Sequence, residues 1–333
     1  MSFTIRPGRD TDADDFIRLI GDAWAEYPNC VLDVDAEVPE LRALATHFAK
    51  NGGALWAAEA EDGEVVGMVA TRPLRDEDEA WEIGRMYVAR AARGSGLAHA
   101  LLDGAERHAV AHGARRMILW TDTRFESAHR FYEKRGYVRA GSIRILDDIS
   151  KSLEFRYAKP ATGVVVEALD AAAASSAERR LAEIMVACVA AGASVSYLPP
   201  LSPEMARAFW RGVSADVATG RAVLLAAWCD GQLAGTVQLA LAPQPNAAHR
   251  AEVTKLLVDP AFRRRGIGRA LMLRLEQAAR GIGRRLLVLD TRAGGDGERL
   301  LRSLGWQEAG TIPGYAMEAG GGLSDTVFFW KRP

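Results

Sequence analysis

The chain is poor in cysteine, and its three, Cys30, Cys188 and Cys229, are scattered without metal-ligand spacing or an even-numbered disulfide framework. A disulfide-stapled secreted scaffold is thereby excluded, and a reducing cytoplasm is the expected setting. An excess of either charge is also lacking: 42 Lys and Arg against 43 Asp and Glu give a formal net charge of −1. Without a basic surplus there is no electrostatic case for a nucleic-acid partner. No run approaches the ~18 uninterrupted apolar residues that a membrane helix needs. The alanine-rich stretch 171–193 is interrupted by Glu178, Arg179, Arg180 and Glu183, so it reads as an amphipathic helix. The opening Met1-Ser2-Phe3-Thr4-Ile5-Arg6-Pro7 has no apolar signal-peptide core. The expectation is a globular protein with no membrane and no nucleic acid among its partners.

What is present is a repeat. A length of 333 residues, with 49% apolar and 26% charged, suits two domains of ordinary size. Gly63-Glu64-Val65-Val66-Gly67-Met68-Val69 matches Gly231-Gln232-Leu233-Ala234-Gly235-Thr236-Val237, each a tight turn between apolar strands. Arg115-Arg116-Met117-Ile118-Leu119 matches Arg284-Arg285-Leu286-Leu287-Val288, a buried strand in both copies. Gly136-Tyr137-Val138 matches Gly305-Trp306-Gln307 at the same offset of 169. Offsets this constant over a whole domain mark a duplication. The expected division is a domain over 1–158, a turn-rich linker over 159–163 and a second domain over 164–333.

In the first copy the patterns predict a strand at 4–6, a helix to about residue 24, and a helix over about 39–50. Strands at about 54–59, 65–72 and 80–88 follow, then a loop and helix over 93–112, a strand to 121, a helix over 127–135, and closing strands at 137–141 and 153–158. This order predicts an α/β domain with a mixed, mostly antiparallel sheet flanked by helices, and the second copy repeats it from residue 164. A Rossmann domain does not fit, because no third glycine completes Gly-x-Gly-x-x-Gly and hairpin strands precede the loop.

The stretch with most chemical content is Val258-Asp259-Pro260-Ala261-Phe262-Arg263-Arg264-Arg265-Gly266-Ile267-Gly268-Arg269. It is a strand end, a basic glycine-rich turn and a helix start, where free N–H groups and the positive end of the dipole favour an anion. Its counterpart is Val88 to Ala98, with Arg93 lying 170 residues before Arg263. Both fit Arg-x-x-Gly-x-Gly/Ala, as Arg93-x-x-Gly96-x-Ala98 and Arg263-x-x-Gly266-x-Gly268. Taken alone, either turn is equally a basic helix cap with nothing bound.

The motif and the element order together resemble the GNAT (GCN5-related N-acetyltransferase) superfamily, over nearly all of both halves. The resemblance implies two tandem GNAT-like domains, acetyl-coenzyme A as cofactor, and transfer of acetyl to a primary amine of a small molecule or peptide. It places the pyrophosphate on Arg93, Gly94, Ser95, Gly96, Leu97 and Ala98 and on Arg263, Arg264, Arg265, Gly266, Ile267, Gly268 and Arg269. It places the pantetheine along Met86, Tyr87 and Val88 and along Leu256, Leu257 and Val258.

Acetyl transfer needs the amine deprotonated and the departing thiolate protonated or stabilised. The family often sets a glutamate base on the strand before the loop; Glu82 and Glu252 each stand 11 residues before the loop arginine. Each is a base beside the cleft or a strand-edge carboxylate facing solvent. Ser127-Ala128-His129-Arg130-Phe131-Tyr132-Glu133-Lys134-Arg135-Gly136-Tyr137 matches the segment that carries the family's tyrosine acid, and Tyr132 falls on it or simply packs. The asparagine frequent at its start is Phe125 here. Counting back from Gly305, the equivalent of Tyr132 is Leu301, which cannot donate a proton. Tyr27, Asp33 and Asp35, with Tyr197 and Tyr315 in the second copy, are the acceptor-side candidates, the acids being solvated charges otherwise.

No cysteine has a base partner visible in sequence, so direct attack in a ternary complex is expected over a covalent relay. Two rivals stay open: an acyl-coenzyme A sensor with one or both halves non-catalytic, and a second half that only completes the first. A fused pair is expected as a monomer or homodimer.

Overall fold

The computed structural model describes residues 2–75, 77 and 79–333. Its first half contains β1 (Phe3–Pro7), α1 (Ala13–Trp24), α2 (Leu44–Lys50), β2 (Ala54–Ala60), β3 (Val65–Pro73) and β4 (Ala80–Val88). Then come α3 (Leu97–Ala111), β5 (Arg116–Asp122), α4 (Glu126–Lys134), the two-residue strands β6 (Val138–Arg139) and β7 (Arg144–Ile145), and β8 (Leu153–Pro160). The second half contains β9 (Val164–Leu169), α5 (Ala171–Ala190), α6 (Pro203–Ala218), β10 (Ala222–Cys229), β11 (Gln232–Leu241) and β12 (Arg250–Val258). It closes with α7 (Ile267–Gly281), β13 (Leu286–Arg292), α8 (Asp296–Ser303), β14 (Gln307–Met317) and β15 (Leu323–Lys331).

The expected order is present in both copies, with β7 as an addition in the first. The single helix expected over 39–50 is a 3₁₀ turn, Pro39–Ala43, followed by α2. The eight-stranded sheet runs β1-β2-β3-β4-β5-β8-β6, with β7 on β8; the seven-stranded sheet runs β14-β15-β13-β12-β11-β10-β9. The strand pairs are antiparallel except β4 with β5 and β12 with β13, among the pairs whose register the described residues define.

Two compact units result, Met1–Tyr132 with Arg139–Thr162, and Glu133–Val138 with Gly163–Pro333. The division differs from a cut at residue 158. β8 continues through Lys159 and Pro160, and Lys159 is buried against Glu106 at 2.8 Å. Residues 133–138 belong to the second unit, where the buried Trp228 Nε1 donates to the Gly136 carbonyl at 2.7 Å. A buried indole N–H needs such an acceptor, and a separation of 92 residues hides it from local pattern reading.

In the second unit, period-two alternation assigns Leu224, Ala226 and Trp228 of β10 to one face, under α5 and α6. Leu225, Ala227 and Cys229 lie on the other, under α7. α5 starts on an Asp170 cap, whose carboxylate accepts from the Ala173 amide at 2.8 Å, and it buries Ala177, Leu181, Ile184 and Cys188. In the first unit, α1 and α2 bring Phe16, Ile20, Leu44 and Phe48 onto Ala57, Met68 and Ala70. α3 and α7 bury the same stripe, Leu97, Leu101, Leu102, Ala105, Ala109 and Ile267, Leu271, Met272, Leu275, Ala279.

Gly67 and Gly235 lie within strands, beyond the turns that Gly63 and Gly231 make with positive φ. A Cβ on Gly67 would stand 2.9 Å from Leu101 Cδ1, and one on Gly235 would stand 2.8 Å from the Leu257 carbonyl. Both glycines therefore let a helix seat directly on its sheet, which fixes where the helix N-terminus points.

Candidate active site

Each unit opens a cleft where its two parallel strands part. The β4–β5 ladder stops at Ile83 and Leu119, and the β12–β13 ladder at Glu252 and Val288, although all four strands continue. β4 and β12 also carry a bulge at the same place. Met68 pairs Tyr87 while Ala70 pairs Gly84, and Thr236 pairs Leu257 while Gln238 pairs Thr254. Two residues thus oppose one in each strand, and the first of them, Arg85 or Lys255, takes φ of 50° or 53°. The bulge frees backbone groups beside the cleft just before the glycine loop. No sequence signal marks it, because neither position is glycine.

The loops are built alike. Gly96 caps α3 with φ 88° and Gly266 caps α7 with φ 80°, the left-handed geometry that glycine adopts without cost. Leu97 and Ile267, the first residues of the two helices, are buried.

The surroundings of the two loops differ. In the second unit the cleft is a cavity of about 710 Å³, within the usual range for ligand pockets. Leu256, Leu257, Val258, Arg263, Arg264, Gly266, Ile267, Gly268 and Arg269 all line it. Arg265 does not: its guanidinium lies 5.4 Å over the Phe262 ring and donates to Cys229 Sγ at 3.7 Å. Arg263 donates through Nε to the Val258 carbonyl at 3.4 Å, and neither it nor Arg264 nor Arg269 meets a carboxylate among the described residues. The far wall, unforeseen from sequence, is residues 191–195 after α5 and the start of α8. Cys188 also lines it; burial pushes its thiol up despite the nearby Arg263, and Sγ donates to the Val258 carbonyl at 3.3 Å.

In the first unit the cavity is only about 120 Å³. Met86 and Tyr87 line it, but Val88, Arg93, Gly94, Ser95, Gly96, Leu97 and Ala98 do not. Ser95 Oγ donates to the Ala92 carbonyl at 2.7 Å and accepts from the Leu97 amide at 3.4 Å, so one loop amide is already taken.

Tyr132 is buried and lines this small cavity; desolvation, reinforced by neighbouring Tyr87, raises its hydroxyl well above the usual range. Burial also raises Tyr87, whose oxygen accepts from Trp24 Nε1 at 3.0 Å. Glu82 is not on the cleft wall. Its carboxylate is paired with Arg72 of the adjacent strand at 2.8 Å, because the register sets the two opposite each other. Glu252 is exposed, off the cavity lining, and in no ion pair among the described residues. Leu301, in the tyrosine's place, is buried in the second core.

None of the acceptor-side candidates lines either cavity. Tyr27 packs against Phe125 with ring centroids 4.5 Å apart and planes tilted by 41°. Asp33 accepts from the Ala36 amide at 2.9 Å, and Asp35 pairs with Arg42 at 2.7 Å. Tyr197 meets the Phe209 ring edge-on, with the Lys255 ammonium 6.0 Å from its centroid. Tyr315 is exposed against Phe328.

Among known proteins, the human N-acetylaspartate synthetase is 32% identical over 116 residues, covering 35% of this chain and 36% of that one. An uncharacterized N-acetyltransferase of the hisH-hisA intergenic region of Azospirillum brasilense is 33% identical over 106 residues, covering 31% and 61%. The chain thus spans from about a third to three-fifths of these relatives' own length. A GCN5-related N-acetyltransferase structure from Kribbella flavida aligns at 23% identity and TM-score 0.44, over 51% of this chain and 98% of that one. The structure of yncA from Salmonella typhimurium with its cofactor acetyl-CoA aligns at 20% identity and TM-score 0.44, over 51% and 94%. The profile of the acetyltransferase (GNAT) family matches residues 17–137 and 193–306, well over half of the chain. With a loop, a bulge and a parted strand pair in each half, the chain belongs to the acetyltransferase (GNAT) family, as two tandem domains of that fold.

Proposed function

We propose that the protein is an N-acetyltransferase that moves an acetyl group from acetyl-CoA to the primary amine of a small molecule or peptide, with acetyl-CoA held in the C-terminal cleft. One observation carries this reading: the 710 Å³ cleft has a glycine-capped helix N-terminus and, along its wall, Arg263, Arg264 and Arg269, which are in no ion pair among the described residues, the wall's Asp296 being paired with Arg299. The residues suit the pyrophosphate. A Cβ on Gly266 would meet nothing within 4 Å, so that side of the loop faces open space. The α7 amides with Arg263, Arg264 and Arg269 would hold the phosphates, and the backbone of Leu256, Leu257 and Val258 would line the pantetheine arm.

Acetyl-CoA supplies an activated acetyl thioester. The chain's own part is to fix the phosphates, keep the arm along β12 and admit an amine at the open end of the cleft. Glu252, a carboxylate on β12 not committed to a cation, is the base we assign to this half; Glu82, held by Arg72, is the weaker candidate. Tyr132 remains the assigned acid of the N-terminal cleft, whereas Leu301 supplies no proton in the C-terminal one. Three cysteines without a disulfide suit a reducing cytoplasm.

The test is release of free thiol from acetyl-CoA across a panel of primary amines. Turnover with at least one amine, abolished by Gly266→Glu, is expected; turnover that survives Gly266→Glu moves the site elsewhere. Burial of Leu301 favours a second reading, an acyl-CoA sensor, which predicts binding with no amine-dependent thiol release.

A further inference from the structure

We infer that residues 26–31 are a strap that closes the N-terminal cleft to coenzyme A, with Glu26 as its latch; the inference rests on the reading of the glycine loops as pyrophosphate sites. Arg93, the first residue of the loop, has its guanidinium already filled. Nη1 donates to Glu26 Oε2 at 2.8 Å, Nη2 to Oε1 at 2.6 Å, and Nε to the Val88 carbonyl at 3.3 Å. A bidentate carboxylate takes the fork that a phosphate would otherwise take.

The rest of the strap is fastened on the opposite bank. The Tyr27 ring packs tilted against Phe125, and its hydroxyl lies 3.2 Å from Ser127 Oγ. Arg124 Nη1 donates to the Asn29 carbonyl at 3.2 Å, and the Val31 amide donates to Ser150 Oγ at 2.8 Å. Arg93 follows β4, whereas Arg124, Phe125 and Ser127 follow β5. Residues 26–31 therefore run between the ends of the two strands whose parting makes the cleft.

The C-terminal unit serves as the internal control. Arg263 keeps the matching contact to the Val258 carbonyl but is in no ion pair among the described residues; Asp296, across the same cavity, is paired with Arg299 and acts on Arg263 only at longer range. The segment after α5, residues 191–195, carries no charge and lines the open cavity instead of bridging it. No Asp or Glu occurs between Glu183 and Glu204. The same loop thus stands in a cavity of about 710 Å³ without the strap and beside one of about 120 Å³ with it.

The experiment is calorimetric titration of acetyl-CoA into the full chain, into Glu26→Gln, and into the double variant Glu26→Gln/Tyr27→Ala. The latch pair is partly exposed, at 29% and 43% for the two side chains, so the single substitution leaves the fold intact. One site is expected in the parent and two in the double variant. Adding Gly96→Glu should remove the new site, and adding Gly266→Glu should remove the original one. A double variant that still binds one acetyl-CoA overturns the strap, as does a parent that already binds two, or a second event that survives Gly96→Glu. Absence of binding in every protein, the parent included, overturns the strap together with the pyrophosphate reading, and its zero stoichiometry separates that result from the others.

Discussion

Replacing Gly235 or Gly67 by alanine adds the same methyl group at the same place in two copies of one fold, yet the neighbours differ. At Gly235 the new Cβ would stand 2.8 Å from the Leu257 carbonyl oxygen, 3.2 Å from Ile267 Cγ2 and 3.3 Å from Leu271 Cδ1. The nearest atom is backbone of the neighbouring strand β12, so the sheet itself must shift. At Gly67 the nearest atoms are Leu101 Cδ1 at 2.9 Å and Leu97 Cδ2 at 3.1 Å, the far ends of side chains that can turn. Overpacking costs about 1–3 kcal/mol, which assigns about 2–3 kcal/mol to Gly235→Ala and about 1 kcal/mol to Gly67→Ala. For domains of this size that is a fall in Tm of about 4–12 °C against about 2–4 °C. Scanning calorimetry of both variants beside the parent measures it. Because β12 lines the cleft with Leu256, Leu257 and Val258, Gly235→Ala should also weaken acetyl-CoA binding, which Gly67→Ala leaves alone. An equal or larger loss for Gly67→Ala would refute the reasoning, since it would mean that the backbone contact yields as easily as a leucine methyl.

Other consequences are as specific. Glu276 is buried and accepts from Trp306 Nε1 at 3.0 Å and from Lys331 Nζ at 2.8 Å, so Glu276→Ala leaves a buried indole N–H unpaired and the half-buried Lys331 ammonium with only the Leu304 carbonyl at 2.7 Å, and should cost about 2–3 kcal/mol in denaturant unfolding. A loss under about 1 kcal/mol would contradict that. If acetyl transfer runs in the C-terminal cleft, Tyr132→Phe should leave kcat within about twofold of the parent, whereas a drop of about tenfold, ~1.4 kcal/mol, places the chemistry in the N-terminal half. Burial pushes the Asp12 carboxyl up, but the Arg6 guanidinium at 2.8 Å and the Arg9 amide outweigh it and hold it below the usual carboxylate range. A lowered folded value means stability that is present above the ordinary value of about 3.9 and is lost as pH falls through the folded one. Asp12→Asn should therefore flatten the acid limb of the stability–pH curve, and an unchanged limb would count against the pair.

Much of the fold was legible because duplication writes the same pattern twice. The stripe from Leu97 to Ala109 recurs from Ile267 to Ala279, and the glycine caps recur with it. The order of elements and the leucine at 301 in the tyrosine's place followed from counting along the chain. What stayed hidden depends on contacts between distant residues. Glu26 and Arg93 are 67 positions apart, and only the folded turn after α1 brings them together. Glu82 has the spacing of a base, but register sets it opposite Arg72, a fact of the neighbouring strand rather than of its own. Arg85 and Lys255 take positive φ without being glycine, so the bulge that opens each cleft left no mark in composition. Gly67 and Gly235 read as parts of a turn, whereas their role lies in the approach of a helix packed from elsewhere.

One titration decides most. Acetyl-CoA is added to the parent chain, to Gly266→Glu and to Gly96→Glu, and the number of sites is counted. The cleft geometry predicts one site in the parent, retained by Gly96→Glu and lost by Gly266→Glu. A site retained by Gly266→Glu and lost by Gly96→Glu would contradict it, and so would a parent that binds no acetyl-CoA at all.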